Sequence, residues 1–455
     1  MKIRAISTAF AIAFAGFIST HSYADPIPAA WQASNMTAVG YTGLEEHGSP
    51  FKLAIKQVNG RWYLYTAHSG RAGLSIVDVT DPAQPKYLKY IPGPEGTSGP
   101  QVSLHGNLLI WGLSRPLTLE QTSGQAERAR KVEPVAPANK AYKEGVELFD
   151  ISDPVNPRFL SRWEGHAIGT HRNGYPGGNY AFLTTTLPGY SGNVLVILDV
   201  SDPAHPKEAG RWSYPGQKAD EKPAGINPSF HGPANLSPDG KSIATGYTPS
   251  VVNLDISDIA HPKLIGELVM SPPFVDVGTQ TVHSVLPLWD RKLLFTNSES
   301  MRVECREGLH FAALVDNQNP AKPEMISLFP VPVPPPGAPY RNFCAKGGRF
   351  GPHNTNQEIH LPDVEKPGNL IYLTYFNAGV RVFDIKDPRL PVETGWFIPP
   401  NPTNPMRSQG GMLTVNQTQD VLVDTRGYIY ITESASGVWI LRYTGPDQPA
   451  PTTRQ

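Results

Sequence analysis

Short runs of apolar and β-branched residues, each closed by the same turn, recur along most of the chain. They read LSIVDVTDPAQP from Leu74, VELFDISDPVNP from Val146, VLVILDVSDPAHP from Val194, VVNLDISDIAHP from Val251, FAALVDNQNPAKP from Phe311 and VRVFDIKDPRLP from Val380, with a degenerate copy, VWILRYTGP, from Val438. A continuous run of this kind predicts a buried strand. At the break, Asp81, Asp153, Asp202, Asp258, Asn319 and Asp387 can accept a hydrogen bond from the turn backbone, and Pro82, Pro154, Pro203, Pro320 and Pro388 preset the next φ. Only the fourth copy replaces that proline, with Ile259. Because one residue type serves the same turn in nearly every copy, these aspartates read as turn residues, not as calcium ligands or catalytic acids.

Two more strands precede each phrase, such as Phe51 to Gln57 and Arg61 to Ala67, and one follows, such as Lys86 to Ile91. Four-stranded units repeated radially make a propeller. The pattern therefore predicts an all-β fold, a seven-bladed β-propeller with four-stranded blades spanning residues 25–455. The last copy lacks a fourth strand, while Met36 to Tyr41 is unassigned, so pairing the two would close the ring. A linear solenoid would show atypical capping units at both ends.

The repeated L-V-I-V-D followed by S/T-D-P resembles the LVIVD-repeat family of exported bacterial β-propeller proteins, from about Leu74 to Arg442. FGPHNTNQE from Phe350, LTYFNAGVRVFDIKDP from Leu373 and QTQDVLVDTRGYIYITE from Gln417 are especially similar. The resemblance implies a propeller and export, and defines no single reaction.

Lys2 and Arg4, an apolar run from Ala5 to Ile18 and Ser22-Tyr23-Ala24 have the three-part form of a signal peptide, residues 1–24. The run is too short to span a bilayer, and no comparable one follows, so no membrane span is expected after cleavage. The expected location is periplasmic or secreted. In that oxidising setting Cys305 and Cys344, the only cysteines, are expected to form a disulfide. The formal charge of −1 argues against nucleic acid as a partner. No phosphate loop or Gly-x-Ser-x-Gly elbow is present, so neither a nucleotide cofactor nor a usual serine hydrolase is supported.

Strand alternation puts the Asp-Pro turns on one face and the connections between strands two and three on the other. That second face receives the excursion 115–145, the loop from Glu299 to Leu309, the Pro-rich loop 330–351 and three more inter-blade segments, and long loops on a rigid scaffold commonly carry function. His171, His231, His283 and His353 stand at or just before the first strands of blades three to six. First strands line the channel, so these four can converge and hold one transition metal ion, Fe, Cu or Zn, with Glu358 and Glu433 as carboxylates orienting the rings. Blades two and seven offer Gln101 and Gln417 or Asp420 instead. His205 and His261, in Asp-Pro turns, and His105, in a tight turn, are expected to be exposed. Two functions fit: a metal site acting on or binding a small-molecule ligand, with oxidoreductase or lyase chemistry as candidates, or a non-catalytic scaffold binding a surface protein or glycan through its looped face.

Overall fold

The computed structural model describes residues 24–447 apart from 117–141, 166–168, 224–227, 273, 275–279, 309, 404–405 and 409–410. All but the last residue of the expected signal peptide and most of the 115–145 excursion lie outside them. Blade one runs from axis to rim as Pro50–Val58, Arg61–His68, Gly73–Asp78 and Lys86–Pro92. The same antiparallel order recurs around the ring to give seven blades. Each repeat phrase supplies a third strand, buried because neighbouring blades cover both of its faces. The cores accordingly lie between sheets: Ile110 and Val146 of blade two pack with Leu183 and Val196 of blade three.

The turn chemistry has two parts. Asp81, Asp153, Asp202, Asp258, Asn319 and Asp387 each accept from the N–H two residues ahead. The aspartate ending each third strand, Asp78, Asp150, Asp199, Asp255, Asp316 or Asp384, does the same one step earlier. D-x-x-D is thus a pair of consecutive side-chain-capped turns. These turns also join blades. Ser161 and Ser327 donate to the Pro203 and Pro388 carbonyls of the next blade. Where the contact is closer still the residue is glycine: a Cβ on Gly40 or Gly210 would come within 2.1 or 1.9 Å of the Pro82 or Ile259 carbonyl oxygen.

Blade seven takes Thr418–Val423, Tyr428–Glu433 and Gly437–Tyr443 from one end of the chain and Met36–Thr42 from the other, with Met36 opposite Tyr443. The expected closure is present. The sequence pattern did not predict that Gln32–Ser34 would extend the rim of blade six, pairing Gln32 with Ile398, so the N-terminal segment secures two blades. Cys305 and Cys344 are bonded, and Glu304 N–H donates to the Gly348 carbonyl at 2.7 Å, which ties the blade-five loop to the 330–351 loop. Among the described residues no helix is long and apolar enough to cross a membrane.

Candidate functional site

The innermost strand is interrupted in every blade. Register breaks fall at Pro50/Leu53, Ser98/Gln101, His171/Gly174, Gln280/Ser284 and Thr418/Val421. In blade four the strand is split into Ser229–Phe230 and Asn235–Leu236. In blade six it is reduced to a Thr355–Leu373 bridge and backbone bonds such as His353 N–H to the Thr374 carbonyl, 2.9 Å. A bulge leaves a residue out of the ladder and re-aims its side chain. All four histidines fall in or at the edge of these interruptions.

Their rings form a file across the channel: centroids are 5.4 Å apart for His171 and His231, 4.6 Å for His231 and His283, and 4.8 Å for His283 and His353. His353 stacks on Phe376 at 4.6 Å. The sequence reading missed the adjoining carboxylate, Glu299, at the end of Leu293–Glu299 in blade five. Its oxygens lie 3.4 Å from His283 Nε2 and 3.4 Å from His353 Nε2. One ligand atom each from His231, His283 and Glu299 lie within 4.8 Å of one another. His231 Nε2 and His353 Nδ1 are buried with no hydrogen-bond partner.

Burial, reinforced by the Arg172 charge, pushes His171 down to about 3 and His231 and His283 well below the ordinary imidazole value. Burial with Arg349 does the same to His353. The rings are therefore neutral at physiological pH, the form that ligates metals. Burial raises Glu299, opposed by Arg349 and Arg172.

Arg172 was also missed. It sits in the blade-three bulge at φ +30°, a conformation that costs a side-chain-bearing residue about 1–3 kcal/mol and aims the guanidinium across the axis. Its Nε donates to the Gly232 carbonyl (3.2 Å), NH1 to Asn354 Oδ1 (2.7 Å), and NH2 to Ser284 Oγ (3.1 Å) and Gln357 Oε1 (2.5 Å). NH1 also lies 2.8 and 3.0 Å from the His283 ring nitrogens. Further along the axis Lys52 pairs with Glu358 at 3.1 Å and Asp420 at 3.3 Å. Beyond that, the blade-six chain crosses the channel. Asp363 accepts from Gln57 N–H of blade one at 2.9 Å, Val364 bridges Asp424 of blade seven, and the His360 ring lies 6.3 Å from that of His105 in blade two. The Asp-Pro side is thus covered, and the imidazoles lie toward the looped face.

The two carboxylates expected to orient the rings do not do so. Glu358, five residues along from His353, lies deeper in the channel with Lys52 and 3.6 Å from His360. Glu433 accepts from Gln417 N–H at 2.6 Å and Thr418 Oγ1 at 3.2 Å, and burial pushes it up to about 7. Nor is His105 exposed: it is half-buried against Gly177 and Tyr175. His205 and His261 are exposed, each on the aspartate of its own turn.

Seven radial sheets around an axial cluster of imidazoles define the class, a β-propeller with a polar channel mouth. Residues 59–89 and 177–213 match the LVIVD repeat, which here lies within the blades of a β-propeller. A search of curated proteins finds no match. Among solved structures the chain is similar to the β-propeller domain of Myceliophteria thermophila Cps50 (Swd1), at 8% identity and a TM-score of 0.50 over 89% of this chain and 99% of that one. At that identity the likeness concerns the fold alone.

Proposed function

We propose that this is an exported propeller that holds one transition metal ion at the channel mouth through His231, His283 and Glu299, with His171 and His353 flanking them, and acts on or binds a small molecule there. Glu299 replaces Glu358 and Glu433 as the carboxylate of the site. The observation that carries the reading is His231: its Nε2 is buried and unpartnered, and one of its ring nitrogens lies within ligand-sharing distance of His283 and Glu299. Leaving such an atom unsatisfied costs about 1–3 kcal/mol, which a metal–nitrogen bond would offset. Neutral imidazoles with one carboxylate suit iron, copper or zinc.

Elemental analysis of the purified protein tests this. The expected result is close to one metal per chain, lost in the His231→Ala/His283→Ala double variant. A second reading, a non-catalytic scaffold binding a surface protein or glycan, is favoured by one contact: Arg172 already approaches both ring nitrogens of His283. A metal-free wild type, with folding unchanged by chelator, selects that reading.

A further inference from the structure

A divalent ion at this mouth would join Arg172, Arg349 and Glu299 in a largely buried space, and the Lys52, Glu358 and Asp420 group deeper in the channel and Glu307 beside Arg349 add one net negative charge each, which still leaves positive charge over. Uncompensated buried charge is costly, so a loaded site favours an anionic ligand. Arg172 cannot receive one in two parallel bonds, because four of its five N–H groups donate to Gly232, Asn354, Ser284 and Gln357 and the fifth points at the His283 ring.

Arg349 is arranged differently. Its guanidinium lies flat on Phe376, 3.8 Å from the ring centroid, and Phe376 is itself held at φ +46°. NH1 donates to Glu299 Oε1 and the Ser300 carbonyl, both at 3.2 Å, and NH2 to Gln419 Oε1 at 3.4 Å. Among the described residues nothing accepts from Nε or from the second NH2 proton. Nε is not among the buried unpaired groups and the side chain is 22% exposed, so the Nε–H is open to solvent at the mouth, beside an NH2 group that uses one of its two protons on Gln419. Two N–H groups of one guanidinium are what a carboxylate takes in two parallel bonds.

We propose that the small molecule taken at this site is a carboxylate, held between the metal ion and the free N–H groups of Arg349. This rests on the metal reading above. Arg349 recognises charge and shape, while the metal ligands remain the imidazoles and Glu299.

The test uses the mature chain loaded with Co²⁺ and titrated with formate, followed by the visible spectrum of the ion and by calorimetry, with imidazole as the neutral probe. Formate is expected to bind. Arg349→Gln should weaken it at least tenfold in protein that still carries Co²⁺, and Arg349→Lys, which keeps the charge but loses the fork, should fall between the two. Equal formate affinity in wild type and Arg349→Gln overturns the proposal, as does binding of imidazole alone. If the protein takes up no Co²⁺, the metal reading fails by itself. Formate titration of the metal-free protein then decides the carboxylate site: Arg349-dependent binding keeps it, and no binding ends it.

Discussion

On the Asp-Pro face, the carboxylate of Asp81 takes its hydrogen bond from Ala83, two residues ahead, and five further turns do the same. At the channel mouth, His231 Nε2 has no partner, and the groups nearest to it come from blades three and five. The first region caps each turn locally, copy by copy, with a side chain of the same blade. The second gathers side chains from blades three to six and leaves some of their capacity unused. Repetition marks what builds the ring, and departure from it marks what the ring holds in place.

Arg172 sets the largest expected difference between the two regions. Arg172→Ala removes one cation and strands the Asn354, Gln357 and Gly232 acceptors in the interior, the kind of change that costs about 3–5 kcal/mol. Chemical denaturation should show that loss as a lower midpoint. A midpoint within error of wild type would mean the axis tolerates unpaired groups, and the contrast with the turns would disappear.

A fully partnered histidine sharpens the comparison at a smaller scale. His68 in blade one is buried like His231, but its Nδ1 lies 2.9 Å from the Gly48 carbonyl and its Nε2 2.9 Å from Ser75 Oγ. Burial lowers it from 6.5 to about 4. Since the folded value is the lower one, the unfolded chain binds the proton first. The contribution is fully present above pH 6.5 and is lost as pH falls toward 4. At pH 5 the deficit is about 2 kcal/mol. Denaturation of wild type and His68→Gln between pH 7 and pH 5 should show a shallower acid loss in the variant. Parallel slopes would show that this ring is protonated in the fold.

The fold was legible because its instructions are local. Third strands, turn aspartates and the missing strand of blade seven are all written in short windows of sequence. The histidines were legible for a related reason, since His171, His231 and His283 keep a similar offset from the hairpin in successive copies and His353 stands at the start of the next. Arg172, Glu299 and Arg349 were not. A bulge changes which residue meets the axis without changing the apolar pattern, so Arg172 reads as an exposed neighbour of His171. Glu299 ends a strand just before a long loop, where a carboxylate is ordinarily solvated. Glu358 was misplaced because the segment after His353 runs down the channel, which carries each successive residue farther from the rings. Gln32–Ser34 is too short to show a period at all.

The smallest expected effect lies on the repeated face itself. Asp81→Ala removes one of two consecutive capped turns in blade one, but the freed Ala83 N–H stands where water can reach it, and Asp78 still accepts from Thr80. In a domain of this size such a change should lower the melting temperature by no more than about 2 °C. Metal content should stay as in wild type, because no group of the turn reaches the channel. A much larger drop would mean that the blade seam formed by the Pro82 carbonyl against Gly40 depends on the aspartate, since the cap fixes where that carbonyl points. The aspartate caps would then act between blades as well as within them, and six weak local devices would become one cooperative ring.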